Sequence, residues 1–149
     1  MCGSSESPLR IITTLLPLPP RALSSNGSYG HWATHSKAVK RYREDCRLLA
    51  AAARGELYTR FTPMEHARLS MRWVYCRTQG KDVYCPIDVG NAIYAAKPLI
   101  DSLIAAGIIA GDSADHLELG PVEIERHRGH GAGQCADVAG ITVTVEELP

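Results

Sequence analysis

Asp88-Val89-Gly90-Asn91 opens a segment that continues through Ala92-Ile93-Tyr94-Ala95-Ala96-Lys97-Pro98-Leu99-Ile100-Asp101-Ser102-Leu103-Ile104-Ala105-Ala106 and closes on Gly107-Ile108-Ile109-Ala110-Gly111-Asp112-Ser113. Ile93, Ile100, Leu103 and Ile104 recur at helical spacing, which predicts a helix over residues 92–106. Lys97 and Asp101 stand one turn apart on it and share a face. Asp88 precedes the helix and Asp112 follows it. A helix of about 15 residues is roughly 22 Å long, so its two ends do not meet by themselves. Only if Asp112 opens a strand running back along the helix do the two carboxylates, Asp88 and Asp112, converge, with a lysine on the facing side of the helix looking into the same place. Carboxylates and an amine gathered at one point can hold a divalent cation and a phosphate.

Working outward, apolar β-branched residues 9–16 read as a strand ended by Pro17-Leu18-Pro19-Pro20. Residues 21–32 form a long polar loop, and Ser36 is an N-cap for a helix to about Arg54. Val39, Tyr42, Cys46, Leu49 and Ala50 give that helix an inner stripe. Lys37, Lys40, Arg41, Arg43 and Arg47 face only Glu44 and Asp45, a local concentration of positive charge. In residues 67–76, Leu69, Met71, Trp73 and Tyr75 alternate with Arg68, Ser70 and Arg72, a strand with one wet face. Residues 115–126 read as a strand with an edge or bulge at Gly120-Pro121. Ile141, Val143 and Val145 mark a last strand, expected to pair with its predecessor as a long-looped hairpin. The order β, α, β, α, β, β predicts an α+β fold: a single two-layer domain over residues 9–149, a mixed sheet with helices on one face, after a loose tail at residues 1–8.

Sixteen Lys and Arg balance sixteen Asp and Glu, so any nucleic-acid partner must use a local basic patch. No apolar run approaches the roughly 18 residues of a membrane span, and the first eight residues lack the charged and apolar regions of a signal peptide. Five cysteines without a Cys-x-x-Cys spacing favour free thiols in a reducing cytoplasm. Gly129 to Gln134 has the glycines of a phosphate loop but not the following helix, so it reads as a turn. His127, His130 and Cys135 lack a fourth ligand at a familiar zinc spacing.

Each acidic residue also has a plain reading. Asp101 can be half of a surface pair with Lys97, Asp88 a helix N-cap, and Asp112-Ser113 turn chemistry. The ordered set, however, resembles the RusA family of Holliday junction resolvases over residues 10–147. The resemblance rests on the first strand ending at Pro17 to Pro20, the Ser24-Ser25-Asn26 loop and a basic helix with Tyr42-Arg43. It continues with Asp88 and Asn91 of an Asp-x-Asp-Asn pattern, the Lys97/Asp101 pair with Leu103 two residues on, Gly107, and Asp112 of a final Asp-Asp pair. Gly90 and Gly111 stand where the family has aspartates, and the interval from Asn91 to Lys97 is about one helical turn longer.

That resemblance implies a homodimeric, Mg²⁺-dependent endonuclease (Mn²⁺ as substitute) that cuts four-way DNA junctions in a bacterial or phage-infected cytoplasm. Asp88 and Asp112, with Asn91 or Asp115 filling the vacancy, would be the metal ligands. Lys97 would neutralise transition-state charge and Asp101 would orient it. Lys37, Lys40, Arg41, Arg43, Arg47, Arg21 and Asn26 would take the DNA backbone. The alternatives are a branched-DNA-binding protein that has lost catalysis at Gly90, and a binding module unrelated to DNA.

Overall fold

The computed structural model describes residues 9–23, 32–55, 61–76, 83–86, 88–127 and 139–149. The tail at residues 1–8, Asn26 with most of its loop, and the glycine-rich turn at 129–134 lie outside them. Among the described residues the fold is α+β: a mixed four-stranded sheet with three helices. The strands are β1 (Ile11–Leu16), β2 (Ala67–Cys76), β3 (Leu117–His127) and β4 (Gly140–Glu147), and the helices are α1 (Trp32–Gly55), α2 (Val89–Ala95) and α3 (Lys97–Ala105). A single 3-10 turn, Arg21–Leu23, follows the proline-rich segment. No helix among the described residues is long and apolar enough to cross a membrane.

Strand order is β1-β4-β2-β3. β4 pairs antiparallel with both β1 and β2, and β3 pairs parallel with β2. The expected hairpin between the last two strands does not form. β4 inserts between β1 and β2, where Ile141, Val143 and Val145 are buried, and β3 takes the edge. A parallel β2–β3 pair needs a crossover, and α2 and α3 supply it. The pairing steps from Leu69↔Leu119 to Met71↔Val122, so Gly120-Pro121 carries the one-residue bulge the proline predicted.

Alternation decides the layers. Ile12 and Leu16, Leu69, Met71 and Trp73, and Ile141, Val143 and Val145 lie in register on one face and are buried with the helices' inner stripes. The other face is polar over its centre, where the Thr13 and Thr144 hydroxyls are 3.4 Å apart, Arg68 pairs with Glu118 at 3.2 Å and Arg72 pairs with Glu125, while on the edge strand β1 it exposes Ile11 and Leu15.

Three further boundaries depart from the sequence expectation. The first strand starts at Ile11, and α1 begins at Trp32, leaving Ser36 inside the helix rather than at its cap. Nothing in Trp32-Ala33-Thr34-His35 opposes helix, so the first turn extends before the polar signal. The organising helix is two helices, not one. Pro98 has no N–H to give to Tyr94, so the ladder breaks at Ala96 and α3 restarts with the proline in its first turn, where no donor is needed. The expectation of free thiols holds at Cys46 and Cys85 and fails at Cys76, which is disulfide-bonded. An odd count excludes a fully paired framework, not a single bridge.

Candidate functional site

The end of α3 determines where Asp112 goes. Gly107 adopts φ +74°, its N–H bonds the Ile104 carbonyl at 2.9 Å, and the Ile108 N–H bonds the Leu103 carbonyl at 3.0 Å. This is the Schellman pattern, completed by the buried pair Leu103 and Ile108. The Arg54 guanidinium of α1 adds a bond to the Ala106 carbonyl at 2.7 Å. The chain then reverses, and Met64 holds it through bonds to Ile108 (2.8 Å) and Ala110 (3.0 Å). Asp112 thus comes back to the N-terminal end of α3, but it lies in a bend ahead of β3 rather than opening a strand, and its contacts there are to Lys97 and not to Asp88.

There it meets Lys97. The ammonium hydrogen-bonds the Asp112 carboxylate and lies 3.0 Å from Asp101, one turn along α3. Asp101 is in turn 3.9 Å from the Arg43 guanidinium of α1. The charges alternate along the row Arg43, Asp101, Lys97, Asp112. Asp112, then Asp101, hold the Lys97 ammonium above its ordinary pKa, and Lys97 holds the Asp112 carboxyl below the usual aspartate value. Beneath the row, the buried Ser102 hydroxyl lies 2.8 Å from the Arg43 carbonyl and 2.7 Å from that of Pro98. Its single proton bonds one of them at a time, keeping α3 close against α1.

Asp88 takes the role of its plain reading. It is the N-cap of α2, accepting the Asn91 backbone N–H at 2.8 Å and the Asn91 side-chain amide at 2.9 Å. Asn91 is therefore gathered onto Asp88, while the contacts of Asp112 go to Lys97. Among the described residues no three His, Cys, Asp or Glu side chains group closely enough to hold a metal ion. Asp115 is exposed, and His127 bonds Glu125 at 2.8 Å. His130 and Cys135 lie outside the described residues. Asp88 and Asp112 are both exposed carboxylates, and no hydrogen bond or ion pair among the described residues links Asp88 to the Lys97 row; a hard cation that keeps several waters and takes substrate oxygen needs only one or two carboxylates.

The basic residues of α1 divide into two flanks around its buried stripe of Tyr42, Cys46 and Ala50. Lys37 and Arg41 line a cavity of about 640 Å³ floored by Pro17, Leu18 and Pro20. Lys40, Arg43 and Arg47 line a smaller one, about 260 Å³, beside Asp101 and Ser102. Only the second flank adjoins the Lys97 row. Arg47 is spent on Glu44, at 2.9 and 2.6 Å. Arg21 lies in the 3-10 turn, exposed. Burial pushes the Tyr42 phenol well above its ordinary pKa and the Cys46 thiol up to about 12, so neither is a reactive group. The Tyr42 hydroxyl instead donates to the Pro17 carbonyl at 2.8 Å, fixing the end of β1 on α1.

Sequence reasoning missed Tyr94 and His35. With Leu23, Val39, Lys97 and Asp101 they line a cavity of about 490 Å³ on the side of α3 that carries the lysine. Tyr94 precedes Lys97 by three residues and is an aromatic among small residues, the one available signal; His35 required knowing where α1 lies.

No protein-family model, curated protein or solved structure matches this chain.

Proposed function

We propose that the chain is a metal-dependent, structure-selective endodeoxyribonuclease that acts on four-way or otherwise branched DNA, similar to the RusA family. The observation that supports this reading best is the Lys97 row: an ammonium held between the Asp101 carboxylate, one helical turn on, and the Asp112 carboxylate, 15 residues on in sequence, beside the Lys40/Arg43 flank of α1. Asp88 and Asp112 would hold Mg²⁺, or Mn²⁺ in its place. The ion would supply a water of lowered pKa and charge stabilisation at the phosphate. Lys97 sits where it can move from Asp112 to a phosphate oxygen as negative charge builds there. Asp101 and Arg43 fix the lysine's position while it does so. Lys40 and Arg43 on one flank, and Lys37 and Arg41 on the other, would take phosphate backbones, so binding falls with salt. A two-fold homodimer would present two such sites to opposite strands of a junction. The setting would be the cytoplasm of a bacterial or phage-infected cell, although a disulfide such as that of Cys76 is unusual in a reducing compartment.

A second reading is favoured by Gly90 and by the absence of a three-carboxylate group among the described residues: binding of branched DNA without cutting. A single experiment separates the two. A labelled four-way junction is incubated with the wild type, Asp112→Asn and Gly90→Asp, in Mg²⁺, Mn²⁺ or EDTA. Paired nicks that need metal and vanish in Asp112→Asn support the nuclease. Salt-sensitive binding without cleavage, converted to cleavage by Gly90→Asp, supports the second reading. Absence of binding rejects both. The Gly90 substitution is sterically open, since an added Cβ meets only Asp88 Oδ1, at 3.4 Å.

A further inference from the structure

The cavity between α1, α2 and α3 is used by none of the roles above except through Lys97 and Asp101. Its volume, about 490 Å³, lies in the range of small-molecule sites, roughly 300–1,000 Å³. One wall is apolar, made by Leu23, Val39 and Pro98. Tyr94 contributes an aromatic ring that is 64% exposed. The remaining edge is polar: the Lys97 ammonium and an Asp101 carboxylate oxygen lie 3.0 Å apart, with His35 on the α1 side.

We infer that this cavity takes one unpaired nucleobase of the DNA whose phosphate lies at Lys97. A nucleobase is a flat, largely apolar ring with donors and acceptors side by side on its edge. The cavity offers the complement: a ring and an aliphatic wall for the face, and a donor next to an acceptor for the edge. Other occupants fit less well. A bare phosphate would leave the apolar wall and the Tyr94 ring unused. An aliphatic side chain of a peptide would bury the Lys97 and Asp101 edge against nothing that could bond it. A duplex base pair has its edges occupied and its faces stacked, so the site selects bases exposed at a branch point. The inference rests on the reading of the chain as a branched-DNA protein and names the feature it recognises: an unstacked base beside the phosphate, read by Tyr94 as a stacking platform.

The test uses the full chain and two labelled branched DNAs, identical except that one carries an unpaired base at the branch point and the other an abasic site there. Affinities are read by fluorescence anisotropy at several salt concentrations. The wild type is expected to prefer the base-bearing DNA by about 5- to 150-fold, the range of single base–aromatic stacks. Tyr94→Ala should abolish that preference, and Tyr94→Phe, which keeps the ring, should retain it. The ring's exposure lets both variants fold, which thermal melting verifies. Lys40→Ala should weaken both DNAs alike. If the wild type binds both DNAs equally and in a salt-dependent way, the nucleobase site is overturned and the branched-DNA reading survives. Equal loss on both DNAs in Tyr94→Ala likewise overturns it. If neither DNA is bound, both readings fall together.

Discussion

Gly107→Ala tests whether the return of the chain toward Lys97 is built as described. An L side chain at φ +74° costs about 1–2 kcal/mol. The stiffer unfolded chain of alanine gives back about 0.4–1 kcal/mol. The added Cβ would also lie 3.2 Å from Arg54 Nη1, the atom that bonds the Ala106 carbonyl, and losing that bond adds about 0.5–1.5 kcal/mol. The net is a destabilisation of roughly 1–2 kcal/mol. At about 2–4 °C per kcal/mol for chains near this size, the Tm should fall by about 2–8 °C. The assay is thermal and urea denaturation followed by circular dichroism, with an unchanged urea slope as the sign that only stability moved. Gly55→Ala is the control, because nothing lies within 4 Å of its added Cβ and its φ is not positive; it should stay within about 0.5 kcal/mol of wild type. Placing Gly107→Ala in an Arg54→Ala background removes the crowding and leaves the backbone cost. If Gly107→Ala melts with the wild type, or Gly55→Ala falls as far, the Schellman turn is not what holds this reversal.

Two further outcomes follow from the ionisable groups. Lys97 is raised and Asp112 lowered by their mutual bond. A lowered carboxyl contributes stability above its unfolded value, near 3.9, and loses it as pH falls through the folded one; a raised lysine keeps its contribution below about 10.4 and loses it above the folded value. The Tm difference between wild type and Asp112→Asn should therefore be flat from pH 5 to 9 and close at both ends, in acid below the ordinary aspartate value and in alkali above the ordinary lysine value; a difference that changes around neutrality contradicts the pairing. Cys46, pushed up to about 12 and buried, should resist iodoacetamide at pH 8, where roughly one thiol in ten thousand is ionised, whereas half-buried Cys85 is alkylated first. Peptide mapping that finds Cys46 labelled as fast as Cys85 would show that α1 opens.

The faces of β2 and β4 were legible because each alternates cleanly, and the inner stripe of α1 because Tyr42, Cys46 and Ala50 keep a helical period; Leu49, expected in that stripe, is exposed, since it lies off the line through the three buried positions. Partner choice was not. β3 and β4 are neighbours in sequence, yet the charges at Glu118, Glu123 and Glu125 and the proline at 121 belong to an edge, while the β-branched run at 141–145 belongs to a centre. The glutamates and the proline mark the edge in the sequence itself, whereas adjacency in sequence does not decide pairing. Pro98 likewise marks the break between α2 and α3. In the site, Lys97 and Asp101 were legible through spacing alone, and Asp112 through the glycine that turns the chain. Tyr94 and His35 were not, since their meeting depends on how α1 crosses α2 and α3, a packing fact no local pattern states.

The two positions at which the sequence departs from the RusA pattern are not equivalent. At Gly90 a Cβ meets only Asp88 Oδ1, at 3.4 Å, an ordinary contact. A carboxylate there would stand beside the Asp88 carboxylate, and two like charges so placed repel unless a cation lies between them. Gly90→Asp therefore asks for a metal rather than for a new fold. At Gly111 a Cβ would come within 2.9 Å of His116 Cδ2, closer than packed atoms allow. That imidazole is held by a 2.8 Å hydrogen bond between its Nδ1 and the Glu65 carbonyl. An aspartate at 111 must first displace His116, so this departure is fixed by packing, and Gly111→Asp needs His116→Ala as a companion to be tolerated. Gly90 thus has room for a carboxylate by a single substitution, whereas the space beside Gly111 is already occupied by a ring.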